Sequence, residues 1–187
     1  MELSLESVRE AAESPWRSVS TATFATASAL LALLVLVLAA SEDGWVPILD
    51  SANLAFHEAG HPLFGLFGAT LGLYGGTLMQ LLMPALLWGS AFLRREAAGA
   101  ALAAVWLCQN LMNVARYVAD ARAQLLPLVG GGEHDWWNIL MRWGLLSWDT
   151  RLAGALRFFA GLGLLAAWGW LWWRWRYGSA RAAAGAS

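Results

Sequence analysis

The stretch VPILDSANLAFHEAGHPLFGLF, residues 46–67, has the length of a membrane helix and is mostly apolar. About 20 such residues suffice to cross the hydrocarbon core of a bilayer. Its polar side chains recur at intervals of three and four, which places them on one stripe of a helix, facing the protein interior. They are Asp50, Asn53, His57, Glu58 and His61. The stretch therefore predicts a membrane helix with one polar, ionisable face.

The centre of that face is the sequence His57-Glu58-Ala59-Gly60-His61. Residues four apart share one side of a helix, so His57 and His61 can bind one metal ion together. A metal lowers the pKa of a bound water, and Glu58 beside it can take the proton and pass it to a leaving group. The alternative is a set of ordinary buried polar groups, which is costly in lipid for three ionisable side chains within five residues. We therefore expect one zinc ion and hydrolytic chemistry, with Glu58 as general base.

The composition places the chain among integral membrane proteins, with 59% hydrophobic residues, 13% charged residues and a mean hydropathy of +0.51. The formal net charge is -1, and all twelve basic residues are arginine, which gives no support to a nucleic-acid partner. Cys108 is the one cysteine, so neither an intrachain disulfide nor a cysteine-based metal site is expected. The lack of lysine and the abundance of Ala, Gly, Arg and Trp suggest a bacterial protein, which we place in the inner membrane.

Five apolar segments predict an all-α, polytopic membrane helix bundle with four to five crossings. They cover residues 19–40, 46–67, 68–93, 97–119 and 152–173. The glycines of the third segment make 71–80 a candidate re-entrant turn, with a plain loop and an ordinary helix as the alternative. One domain is expected over 1–187, divided into an N-terminal extramembrane helix within 1–18, a membrane core over 19–175 and a flexible tail over 176–187.

Three further features concern local structure and orientation. Pro62 follows the histidine motif directly and predicts a kink or a loosened helix there. Residues 133–148 are amphipathic and rich in tryptophan, which indicates an interfacial helix. If one central segment does not cross, Arg94, Arg95 and Arg174 fall on the side of the N-terminus. The positive-inside rule favours that version, with both termini in the cytoplasm.

A catalytic zinc normally has three protein ligands, so the two histidines need a third partner. His134 is the first candidate, because it is the remaining histidine and follows a glycine turn; helix capping is its alternative role. Asp120 is the second candidate, with a local ion pair to an arginine as its alternative. Asp135 is the third, and as a helix N-terminal residue it would also be favoured by the helix dipole. The spacing leaves these three open.

A second polar stripe is predicted on the fourth segment and is suited to face the first. Its members are Gln109, Asn110, Asn113, Arg116 and Asp120. Together with His57–His61 and the sequence Gly75-Gly76-Thr77-Leu78-Met79-Gln80, this arrangement resembles the core of the site-2-protease family of intramembrane metalloproteases, over roughly residues 50–122. The resemblance implies His57 and His61 as zinc ligands, Glu58 as the base and Asp120 as the family-style third ligand. Thr77 and Gln80 stand where the family has proline and asparagine.

The expected function is therefore a membrane-embedded zinc hydrolase, by resemblance a metalloprotease that cleaves peptide bonds within or near the membrane. Gln80, Asn110 and Asn113 are candidates to position the substrate or to steady an oxyanion. The expected partners are membrane lipid, a membrane-protein or peptide substrate, and a further subunit for substrate selection. The alternatives are a lipid amide or ester hydrolase and a non-catalytic membrane protein with a structural, regulatory or transport metal site.

Overall fold

The computed structural model describes residues 14–129 and 132–184, and all regular structure in these residues is helical. Among the described residues, six α-helices and one short 3-10 helix follow each other. They are α1 (Thr21–Ala40), α2 (Pro47–Gly65), α3 (Ala69–Leu93), α4 (Ala97–Ala119), α5 (Asp135–Trp143), the 3-10 turn Leu146–Trp148, and α6 (Asp149–Ala184). The chain is thus an all-α helix bundle, as the sequence predicts. The extramembrane helix expected over 2–14 lies almost entirely outside the described residues.

Four of these helices are long enough and apolar enough to cross a membrane, which makes the chain a membrane protein: α1, α3, α4 and the helical stretch Leu146–Gly178. Helix α4 lies between α3 and α6, while α1 contacts α4 and α6 at one side of the bundle. An even number of crossings returns the chain to the side on which it began. Accordingly, Trp16 before α1 packs against Trp170, which lies 21 residues after the start of α6, with ring centroids 5.0 Å apart.

Helix α2, which carries the histidine motif, is not one of the four crossings. Its first turn lies deep in the bundle, where the Asp50 side chain accepts a hydrogen bond from Gln109 in the middle of α4. Its last turn lies beside the beginning of α3, where Gly65 meets Gly72. The segment 41–46 therefore runs back into the bundle, and α2 runs outward again. A non-crossing segment is present, but it is α2 rather than the glycine-rich stretch over 71–80.

That glycine-rich stretch is the first part of the continuous helix α3, so the expectation of a re-entrant turn over 71–80 was wrong. Proline also fails to end a helix twice, since α2 continues through Pro62 and α3 through Pro84. In a membrane bundle such breakers are tolerated because packed neighbours satisfy the freed backbone groups. Helix α6 likewise continues to Ala184, into the segment that was expected to be a flexible tail.

The glycines bring α2 and α3 into backbone contact. A methyl group on Gly60 would collide with the carbonyl oxygen of Gly75, and one on Gly75 would lie 2.9 Å from the Cβ of Phe64. One turn further on, a Cβ on Gly72 would be 3.1 Å from the Cα of Gly65. Small residues of this kind let membrane helices approach closely, since packing rather than the hydrophobic effect joins them in lipid. This contact fixes the histidine face of α2 against α3.

The two polar stripes predicted from the sequence face each other across α2 and α4. Asp50 and Asn53 are fully buried, and so are Gln109 and Asn110. The Asp50 carboxylate accepts from Gln109 Nε2 at 2.6 Å, from Asn53 Nδ2 at 3.1 Å and from the Val46 amide at 2.6 Å. Such buried groups are stable only when hydrogen-bonded. The network therefore holds the first turns of α2 at a set depth and rotation.

Candidate metal centre

Both motif histidines are oriented by hydrogen bonds on the ring nitrogen that points away from the centre. His57 Nδ1 lies 3.0 Å from Gln80 Oε1, and His61 Nδ1 lies 2.9 Å from the carbonyl oxygen of Gly72. A carbonyl oxygen only accepts, so each Nδ1 carries its proton and each Nε2 keeps its lone pair in the neutral ring. This is the usual way in which proteins prepare an imidazole to bind a metal through Nε2.

The two Nε2 atoms meet a carboxylate oxygen of Asp135. His57 Nε2 is 3.2 Å from His61 Nε2 and 2.9 Å from Asp135 Oδ2, and the latter oxygen is 3.3 Å from His61 Nε2. Tetrahedral zinc with ligands at about 2.0–2.1 Å separates them by about 3.3 Å. The three atoms therefore stand at nearly the spacing that one tetrahedral ion requires. Among the described residues, this is the one group of His, Cys, Asp or Glu side chains found that could hold a metal ion.

Electrostatics also favour a cation at this point. Two imidazole lone pairs and a carboxylate oxygen would repel one another at these distances, because none of the three then supplies a proton. Either a metal ion or one extra proton on a histidine removes the repulsion. His57 is buried and Asp135 nearly so, and the low dielectric of the protein interior strengthens this repulsion. Two nitrogens and a carboxylate oxygen form a donor set typical of catalytic zinc.

Gly76 on α3 leaves the room that an ion would need. A Cβ at this position would lie 2.6 Å from His57 Nε2 and 2.7 Å from His61 Nε2. Any larger residue would therefore push its side chain against both nitrogens that face the centre. The sequence analysis noted Gly76 only as part of a glycine-rich segment. The signal that could have found it is its spacing, since Gly76 lies four residues before Gln80, on the same face of α3.

Tyr117 at the end of α4 holds Asp135 in place. The Asp135 amide donates to the Tyr117 hydroxyl at 3.2 Å, and that hydroxyl lies 3.5 Å from Asp135 Oδ2. The Tyr117 ring also packs edge-on against the His57 ring, with centroids 5.7 Å apart. Tyr117 thus contacts two members of the cluster, and sequence reasoning missed it because one tyrosine at a helix end carries no distinctive pattern.

His134 and Asp120, the first two candidates for the third ligand, lie outside the cluster. His134 is the N-cap of α5, where its Nδ1 accepts from the Trp137 amide at 3.2 Å. Burial lowers its pKa below the ordinary value, and its Nε2 faces Asp120 Oδ2 at 3.4 Å. Asp120 in turn accepts from the amides of Leu125 and Leu126. Local hydrogen bonds therefore engage His134 Nδ1 and both Asp120 oxygens, and Asp135 is the residue that reaches the two motif histidines.

Glu58 and the cluster line the same cavity. This cavity has a volume of about 1110 Å³. No hydrogen bond or ion pair occupies its carboxylate among the described residues, in contrast to Asp43 and Glu133 on the cavity wall. The cavity lies between the polar cluster and the apolar stretch Leu126-Pro127-Leu128-Val129. Leu128 and Val129 are exposed, so this wall reaches the protein surface. The site can thus admit water and an apolar substrate segment together.

The three residues expected to position a substrate have different surroundings. Gln80 lines the cavity but also accepts from His57, so its side chain already orients a cluster histidine. Asn113 lines the cavity, and its Oδ1 lies 3.5 Å from Gln80 Nε2. Asn110 is fully buried between helices, where its Nδ2 donates to Asn53 and to the Gln80 carbonyl. Of the three, Asn113 is the side chain that remains best placed to meet a substrate.

The fold and the cluster together define a membrane helix bundle with a two-histidine, one-aspartate group beside a free glutamate. No known protein family, curated protein or solved structure matches the chain.

Proposed function

We propose that this protein is a membrane-embedded zinc hydrolase, with His57, His61 and Asp135 as the metal ligands and Glu58 as the general base. The observation that carries the proposal is the convergence of three ligand atoms at 2.9–3.3 Å, beside an unengaged carboxylate in one cavity. An aspartate that completes the ligand set from a later helix is in keeping with the resemblance to site-2 proteases. Here that aspartate begins α5 instead of lying on a crossing helix.

A zinc ion at the cluster would supply a polarised water at neutral pH. Glu58 would accept the proton of that water and pass it to the leaving group, a role for which its carboxylate needs no change of partner. His57, His61 and Asp135 would hold the ion, and Asn113 on the cavity wall would donate to the substrate backbone. We propose peptide bonds near the membrane surface as the target, because the cavity joins the polar cluster to an apolar, exposed wall.

The test compares the protein with its Glu58→Gln variant in proteoliposomes. Two readouts are taken: zinc per chain, and hydrolysis of fluorescent casein followed as newly formed amino groups. We expect about one zinc in both proteins, and hydrolysis in the wild type alone. The Glu58→Gln loss should be about 100-fold or more, since a positioned general base contributes about 10²–10⁴-fold.

Two results would redirect the assignment. Loss of zinc together with the fold in Glu58→Gln would make the cluster a structural site in which the glutamate takes part. Release of fatty acids from the liposome lipids, without new amino groups from casein, would make the protein a lipid hydrolase that uses the same residues.

A further inference from the structure

The two ends of the bundle differ in character. At one end, here called the arginine end, the guanidinium groups of Arg95 and Arg174 lie 5.1 and 5.3 Å from the Trp16 ring. Arg17 pairs there with Glu96 at 3.0 Å. Three parts of the chain meet at this end: the segment before α1, the turn between α3 and α4, and the last turns of α6.

The metal cluster lies toward the other end. Along α3, Gly72 accepts from His61, and Phe92, 20 residues later, packs on Trp16 at the arginine end. At 1.5 Å per residue these two points are about 30 Å apart. Helix α4 gives the same distance between the two ends, because it begins with Ala97 at the arginine end and its Tyr117 contacts His57 of the cluster. The cavity is walled by residues of this second end, within 41–46, 126–129 and 132–133.

The distribution of arginine sets the orientation of the bundle. Among the described residues, the arginine end carries Arg17, Arg94, Arg95, Arg174 and Arg176, and the cluster end carries Arg116, Arg122, Arg142 and Arg151. Arg94 and Arg95 lie in the three-residue turn between α3 and α4. Arginine in a short loop of this kind retains that loop in the cytoplasm.

We infer that the cavity opens on the outer face of the membrane, and that its substrate is a neutral or basic peptide segment exposed at that face. The orientation stands on the arginines alone, whereas the substrate class rests on the proposed function. Four carboxylates line the cavity: Asp43, Glu58, Glu133 and Asp135.

The charges of the wall decide between the substrates that a membrane offers. Arg116, the one cationic side chain found among the described lining residues, is bound to Asp43 at 2.6 Å and lies under the Trp45 ring. Away from the proposed zinc, an anionic phospholipid headgroup would meet carboxylates, because the one guanidinium on this wall is already paired. A peptide carries no such charge, and a basic side chain in it would be attracted to Glu133.

Cysteine labelling tests the orientation without any need for activity. Because Cys108 is the one native cysteine, Cys108→Ala gives a background without thiols. Single cysteines are then placed at Leu125, 84% exposed at the cluster end, and at Ser18, exposed in the segment before α1 at the arginine end. In intact bacterial cells, a membrane-impermeant maleimide should label Leu125→Cys and leave Ser18→Cys unlabelled. After lysis both should label equally.

The reverse pattern, or labelling of both variants in intact cells, would overturn the inferred orientation and would leave the proposed metal centre untouched.

The substrate class is tested by a separate experiment. With zinc-loaded protein, a lysine-containing fluorogenic peptide should be cleaved at least about tenfold faster than the same peptide with glutamate in place of lysine. Equal cleavage rates, or faster cleavage of the glutamate peptide, would refute the claim that the acidic cavity selects the substrate. Absence of cleavage of either peptide, with zinc bound and casein hydrolysed, would refute the peptide class as stated.

Discussion

The absence of a side chain at position 76 leaves the space that the proposed metal centre needs. Two imidazole nitrogens face Gly76 across a gap that a single methyl group would fill, and the His57 ring itself packs against this position. The backbone there is that of a regular helix, so the reason for glycine is the space and not the conformation. In a helix interior glycine costs about 0.5–1 kcal/mol relative to alanine. The cost is consistent with a position kept empty for a ligand.

Gly76→Ala should therefore lower zinc affinity while leaving the bundle folded. Overpacking typically costs about 1–3 kcal/mol, which corresponds to roughly 5- to 150-fold in the zinc dissociation constant. Competition with a zinc-binding dye measures this constant. Gly89→Ala on the same helix is the matched control, because a Cβ there meets nothing within 4 Å. Equal zinc affinity in the two variants would show that the ion does not lie beside Gly76.

At the residue scale the sequence predicts the two histidines but not their third partner. His57, Glu58 and His61 follow from a local spacing, which a helix converts directly into geometry. The choice between His134 and Asp135 depends on where α5 begins, since the N-cap side chain turns back to its own helix. A shift of one residue in that start would exchange the two roles. Only the packing of α5 against Tyr117 decides it.

At the scale of elements, the pair α2–α3 positions the centre. Helix α2 is held at its first turn by the Asp50 network and along its length by the glycine contacts with α3. Composition predicts the crossing helices well, and α4 has the bounds that the sequence indicates, Ala97–Ala119. It fails for the glycines of α3, because a packed neighbour decides whether such residues break a helix in a membrane.

Gly60→Ala should separate this pair of helices. The new methyl group would collide with backbone atoms of Gly75, which cannot rotate away. We expect a loss of about 1–3 kcal/mol in the free energy of unfolding and weaker zinc binding, since the histidines would move with α2. Tryptophan fluorescence on heating measures the loss of stability, and competition with a zinc-binding dye measures zinc affinity. Gly161→Ala in α6 is the control, as its Cβ has open space; an unchanged Gly60→Ala protein would contradict the close contact.

At the scale of the whole molecule, the cluster joins distant parts of the chain. His57 and His61 belong to α2, while Asp135 begins α5, and 74 residues separate His61 from Asp135. A bound ion would therefore link α2 to α5 across the end of the bundle. Such long-range closure is invisible to local patterns, which is why the sequence predicts the class of the fold better than the completed site.

Removal of zinc should therefore lower the stability of the entire bundle. At a free zinc concentration 100 times the dissociation constant, binding adds about 2.7 kcal/mol. For a chain of this size that corresponds to roughly 5–10 °C in Tm. A chelator should lower the Tm of the wild type by this amount and leave that of His61→Ala unchanged. A wild-type Tm that does not respond to chelation would indicate that no ion stabilises the fold.

The zinc content of three neighbouring variants tests the central claim most directly. Asp135→Asn removes the proposed ligand charge, while His134→Asn replaces the histidine by another good N-cap residue. Glu133→Gln is the matched control, a carboxylate on the same cavity wall that faces Asn138 rather than the histidines. The account predicts about one zinc per chain in the wild type, His134→Asn and Glu133→Gln, and little or none in Asp135→Asn. Full zinc in Asp135→Asn, with loss in His134→Asn, would contradict it.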